Sequence, residues 1–238
     1  MHPGDGPSRS KPGERRTLTE ISRRDWLLRT AAGGAALALE MARLRHALAA
    51  ESVAKGVARI RGDVRIGDKP AVQGMEVGAG DVVTVGPRSE AVFVVGRDAF
   101  MARAGSRVEL SGATQSVVSG LRLLTGALLS VFEPGRPKRL QTMTATIGIR
   151  GTGIYVEIEK MRTYACTCYG EAELVPVDAP REAETVRTTH HDQPRYIYPK
   201  GMPRMIERAP VINHTDAELI LLEGLVGRKV PFDPKSSP

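Results

Sequence analysis

Cys166-Thr167-Cys168 and His190-His191 are the residues best suited to hold an ion in this chain, with His214 a further imidazole beyond them. Thiolate sulfur and imidazole nitrogen together suit a tetrahedral zinc or copper ion, at about 2.3 Å from sulfur and about 2.0–2.1 Å from nitrogen. In an oxidising compartment a cysteine pair also reads as a disulfide. The spacing opposes that reading, because two residues along a strand separate Cα atoms by about 6.6 Å, near the limit of a relaxed bridge. Strand alternation instead puts Tyr164, Cys166 and Cys168 on one face, and Ala165 and Thr167 on the other. A cation would offset the repulsion between two thiolates aimed the same way. The remaining ligands are expected from the segment that follows, His190 or His191 first and His214 as the alternate. The alternative makes the cysteines small buried hydrophobes, the His190-His191 pair a solvated loop and His214 a neighbour of a helix start.

Other chemistry finds little support. The chain has no Gly-x-Ser-x-Gly elbow, no His-Glu-x-x-His and no paired carboxylates framed by glycine, so an enzyme is not expected. Cys168 with His191 is the one nucleophile–base pair on offer, and two adjacent thiols favour ligation or redox chemistry over acyl transfer.

The elements that must position these residues read as strands. Val57 to Ile66 alternates apolar and charged residues with period two, as a sheet with one wet face requires. Gly78-Ala79-Gly80-Asp81, Gly86-Pro87 and Gly96-Arg97-Asp98 punctuate the short runs Val82 to Val85, Ala91 to Val95 and Phe100 to Ala102. Val108 to Leu110 and Leu121 to Leu123 alternate again, and Gly126 precedes the buried-looking run Ala127 to Phe132. Turn signals at intervals of about 8–12 residues predict an all-β module over residues 51–175, with Val92, Val94, Leu128 and Ile154 facing inward. Thr163 to Leu174 reads as a hairpin-like pair of strands around Gly170. Residues 176–238 form a tail with a charged loop and one short helix: Thr215 with Glu218 has capping-box spacing, Leu219, Leu222 and Val226 share a face, and Gly227 is the stop.

Three segments in this order resemble the FecR domain, the periplasmic part of iron-dicitrate-type regulators. They are Gly80 to Gly86, Ser89 to Val95 and Leu124 to Leu128. Thr144-Ala145-Thr146-Ile147-Gly148-Ile149-Arg150-Gly151-Thr152-Gly153-Ile154-Tyr155-Val156 is similar to that family's most specific segment. The resemblance spans about Val57 to Leu174. It implies an elongated roll of short strands, somewhat like a β-helix; a β-sandwich is the alternative architecture. Arg150, Gly151 and Thr152 are expected to build a structural turn, with Gly151 taking a backbone angle closed to other residues. A regulator of this type also carries a transmembrane helix and a cytoplasmic sigma-factor-binding segment. Neither is recognised here, since no stretch reaches the length a span needs.

Ahead of this module, Arg23-Arg24 precede a weakly apolar run, Leu27 to Leu39, and Ala47-Leu48-Ala49 offers a small-x-small cleavage site. That layout resembles a Tat export signal over residues 1–50. It places the mature chain in the periplasm or outside the cell, and the Tat route lets an ion be loaded before export. The net charge of +7 includes nine Lys/Arg and five Asp/Glu in the first fifty residues, leaving +3 for the rest, and no basic run with interleaved aromatics follows. Nucleic-acid binding is therefore not expected. The expected function is an exported, non-enzymatic binding or sensing module, with a metal ion as ligand and an envelope protein as a further partner. The alternative is a scaffolding envelope protein without metal.

Overall fold

Short β-branched runs cut by glycine turns offer little to a helical core, and the computed structural model, which describes residues 55–233, is built almost wholly from strands. In chain order they are β1 (Gly56–Arg61), β2 (Val64–Ile66), β3 (Lys69–Pro70), β4 (Val82–Val85), β5 (Glu90–Val95), β6 (Asp98–Ala102), β7 (Arg107–Ser111) and β8 (Gly120–Thr125). There follow β9 (Ala127–Val131), β10 (Lys138–Gln141), β11 (Ala145–Ile158), β12 (Thr163–Pro176), β13 (Glu184–Thr188), β14 (Arg195–Ile197) and β15 (Ile206–Arg208). One α-helix, α1 (Asp216–Leu225), closes the series.

The all-β expectation holds, as one sheet curled into a half-barrel. Its order is β1-β5-β6-β9-β11-β10-β8-β7-β4-β2-β3, with β12 along β11, β13 and β14 on β12, and β15 on β14. Every pairing is antiparallel except β8 with β10. At one rim, Thr163 Oγ1 lies 2.8 Å from Thr142 Oγ1 and 2.6 Å from Thr144 Oγ1, and Thr144 donates to the Ile197 carbonyl at 3.1 Å. These hydroxyls join the start of β11 to the start of β12 and hold the curl.

The sheet buries both faces where its strands are continuously apolar. Phe93, Phe100, Leu128, Ile154 and Ala165 belong to the interior of the roll. Val92, Val94, Met101, Leu129, Tyr155 and Tyr164 form a second cluster on the outer face, under Leu219, Leu222 and Val226 of α1 and its C-cap. Two-sided burial is what an unbroken run such as Ala91 to Val95 requires. Val92 and Val94 are thus buried, but on the face opposite Leu128 and Ile154, because side chains alternate along each strand.

Three expectations are corrected. Thr163 to Pro176 is one continuous strand pairing with β11, not a hairpin around Gly170. Gly170, at φ +91°, sits instead where the register with β11 shifts. Arg150, Gly151 and Thr152 likewise lie inside β11 and form no turn between elements; the register slips between Arg150 and Gly153. Gly151 does take the left-handed angle, φ +57°, while Arg150 is exposed. A bulge reconciles these facts, since it uses glycine's freedom without ending the strand. Finally, residues 176–208 are more than a loop, for β13, β14 and β15 extend the same sheet.

The export residues Arg23, Arg24, Ala47 and Ala49 lie outside the described residues. No helix among the described residues is long and apolar enough to cross a membrane.

Candidate metal centre

Cys166 and Cys168 project from β12 into the outer-face cluster, whereas Ala165 turns to the interior, as alternation predicts. The strand is not regular there. Tyr169 pairs with Gly153 and Thr167 with Ile154, so Cys168 is the extra residue of a bulge. Bulges re-aim side chains, and this one lets Cys168 and Tyr169 share one face.

His191 is brought to the sulfurs by a backbone bond, its N–H donating to the Cys168 carbonyl at 3.0 Å. Its φ of +50° is a left-handed angle that non-glycine residues seldom adopt. Asn213, beside His214, also has a left-handed φ, +58°. His214 is held over the sheet by its ring stacked on Tyr155, with centroids 4.7 Å apart and planes at 17°. The approach is fixed by the Tyr164 hydroxyl, which donates to the Pro210 carbonyl at 3.0 Å and accepts from the Ile212 N–H at 3.3 Å.

One ligand atom from each of Cys166, Cys168, His191 and His214 lies within 4.8 Å of every other. Cys166 Sγ is 3.7 Å from His191 Nδ1, and His191 Nδ1 is 2.9 Å from His214 Nε2. A tetrahedral zinc ion would set nitrogens about 3.3 Å apart and sulfurs about 3.8 Å apart. Small side-chain adjustments therefore fit an ion to these residues. All four are buried, and none is more than 8% exposed.

The outer ring nitrogens decide what the inner ones present. His214 Nδ1 lies 2.6 Å from the Ile212 carbonyl oxygen, which only accepts, so Nδ1 carries the hydrogen. His191 Nε2 lies 3.0 Å from Asp216 Oδ1 and donates to that carboxylate. In neutral rings, His191 Nδ1 and His214 Nε2 then face each other as bare lone pairs at 2.9 Å. Two acceptors at that distance repel unless a proton or a cation lies among them. Metal-bound histidines are held in this way, with the far nitrogen donating to a carboxylate or a backbone carbonyl.

The thiols are electrostatically unequal. The hydrogen bond from Cys168, aided by His191 and His214, outweighs burial and holds Cys166 down at about 4. Burial, with the neighbouring Cys166, pushes Cys168 well above its ordinary value. Burial acts to lower His191, but Cys166 and Asp216 outweigh it and draw it upward. A thiolate beside imidazoles is already the charge pattern a cation would complete.

His190 stands apart from the four. Its Nε2 donates to Asp216, 2.9 Å and 3.0 Å from the two carboxylate oxygens, and its ring stacks on Phe232 at 4.2 Å. Of the two histidines expected first, the structure brings His191 to the sulfurs, with His214 beside it, and leaves His190 aside. A chain leaving β13 can turn only one of two adjacent side chains toward the sulfurs. Asp216, at the first position of α1, receives both His190 and His191 and fixes the latter ring. Sequence reasoning did not single out Asp216. It also missed Tyr155 and the Ile212 carbonyl, which orient His214. For Asp216 a signal existed, an acid directly after the Thr215 cap.

No protein-family model matches this chain, and no curated protein matches it. Among solved structures, it is similar to two crystal structures of a proposed anti-sigma factor from Parabacteroides distasonis, each at 12% identity and a TM-score of 0.44. The similar regions cover 60% and 59% of this chain, and 65% and 71% of the two neighbours.

Proposed function

We propose that this protein is an exported, non-enzymatic binding module of FecR-like type, in which Cys166, Cys168, His191 and His214 hold one zinc ion. The observation that carries the reading is the pair of imidazole nitrogens, His191 Nδ1 and His214 Nε2, turned toward each other at 2.9 Å while their outer nitrogens are engaged elsewhere. Two sulfurs and two nitrogens favour a tetrahedral d10 ion; copper(I) accepts soft donors too, but zinc best suits this mixed set. Four protein ligands close the coordination shell and leave no position for substrate, so the centre is one for binding and not for catalysis.

Elemental analysis of the full chain purified from its producing compartment tests this. About one zinc per chain is expected, falling to background when Cys166 and Cys168 are both changed to serine. Metal at background in the folded wild-type chain would leave the cysteines as core residues and favour the scaffolding role. Export is tested separately: Arg23→Lys with Arg24→Lys should hold the precursor in the cytoplasm, and normal processing of that variant would contradict the Tat route.

A further inference from the structure

The four ligands belong to two parts of the molecule. Cys166 and Cys168 are on β12, and His191 is tied to Cys168 by its backbone N–H. His214 alone comes from the segment after β15, two residues before α1 begins. We propose that the ion is a latch: by joining His214 to the other three ligands it holds residues 209–233 against the outer face, and its loss frees that segment while the roll stays folded. This inference rests on the zinc reading above and adds regulation of the same centre.

Three observations support it. The interior cluster contains none of the four ligands, so the roll keeps its apolar core whether or not the ion is bound. The helix that would be freed has ten residues, below the length of roughly 12–15 at which helices become even marginally stable alone. It lies over β6 and β9 and buries Leu219 and Leu222 in the cluster that holds the sulfurs. Polar ties also cross this contact, so the ion is one hold among several: the Tyr169 hydroxyl donates to buried Glu223, Arg228 donates to the Arg97 carbonyl at 2.6 Å, and Asp216 receives His190 and His191. Arg103 donates to Glu218 Oε1 at 2.7 Å and to the Asn213 carbonyl at 3.2 Å, with its side chain 22% exposed. Partly exposed pairs of this kind contribute little. Release would uncover Val94, Met101 and Leu129, an apolar strip on the sheet.

Hydrogen exchange read by mass spectrometry on the full chain, zinc-loaded and chelator-treated, tests the latch, with zinc content measured on the same samples. On zinc removal, amides of residues 209–226 should lose protection about tenfold or more, while those of β7, β8 and β10 hold theirs. In His214→Ala, zinc should still bind through the other three ligands, more weakly, but adding it should no longer protect the segment. Equal protection with and without bound zinc overturns the latch and leaves the zinc centre standing. Loss of protection throughout the sheet also overturns it, since the ion would then support the whole fold. Failure of zinc to bind the folded wild-type chain removes the underlying reading and the latch with it.

Discussion

The interior of the roll and the outer face under α1 are both buried, yet they are built from different materials. The interior is aliphatic and phenylalanine-rich, with Phe93 stacked on Phe100 at 5.0 Å and Phe100 against Phe132 at 5.7 Å. Apart from the buried Lys138–Asp98 pair and a few hydroxyls such as that of Ser130, its contacts are between apolar side chains, so apolar burial supplies most of what holds it. The outer face carries two thiols, three tyrosines and the imidazoles that reach them. Each polar group there needs a partner, and a buried group left without one costs about 1–3 kcal/mol. Hence the interior rests mainly on apolar burial, whereas the outer face gathers polar groups in a defined geometry, which the proposed zinc ion would complete.

Changes in the roll should act without regard to metal, and the largest is at Lys138. Its Nζ is 2.7 Å from Asp98 Oδ2, both side chains only 4% exposed, and it donates to the Val118 carbonyl at 2.6 Å. Lys138→Ala leaves the buried Asp98 carboxylate with no cation, only the Glu133 N–H on its other oxygen, and should cost about 3–5 kcal/mol in urea unfolding, equally with and without zinc. A loss that depends on zinc would blur the division between the two regions. Gly151→Val comes next: at φ +57° an added Cβ would meet Pro134 Cα at 2.8 Å. A cost of about 1–3 kcal/mol, seen as a lower unfolding midpoint and poorer solubility, is expected.

Under the proposed zinc binding, changes on the outer face should act through the ion. Asp216→Asn keeps the shape but weakens the acceptor for His191, so zinc affinity measured by competition with a chelator should fall about 10- to 100-fold. Unchanged affinity would mean that Asp216 serves the helix alone. The smallest effect is one of pH in the metal-free chain. Because Cys166 is lowered from its ordinary value near 9 to about 4, its contribution to stability is complete above 9, declines as pH falls, and is gone below about 4. Cys168, raised by burial, has the opposite sign, losing its contribution only as pH rises above its ordinary value. The unfolding midpoint of Cys166→Ala should therefore lie further below wild type at about pH 8 than at about pH 5. A constant difference would show that Cys166 is not ionised in the folded chain.

Much of this arrangement was legible in the residues. Unbroken runs such as Ala91 to Val95 and Ala127 to Val131 announced buried strands, and Thr215, Glu218 and Gly227 marked the ends of α1. The common face of Cys166 and Cys168 followed from period two. Which apolar residues face which core did not follow, because a run buried on both sides has no polar face to set its phase. The bulges were hidden for a related reason. Gly151 and Gly170 signal a special backbone angle, and a glycine in a turn reads the same as one in a bulge. The choice of His191 over His190 depended on a left-handed angle at a non-glycine residue and on a carboxylate 25 positions away, neither of which a local pattern carries.

The central claim is that two sulfurs and two imidazoles surround a single ion. X-ray absorption at the zinc edge, on the full chain loaded with one equivalent, tests it most directly. The account predicts two sulfurs at about 2.3 Å and two nitrogens at about 2.0–2.1 Å, with one sulfur lost in Cys166→Ser. A shell of nitrogen and oxygen without sulfur would contradict it.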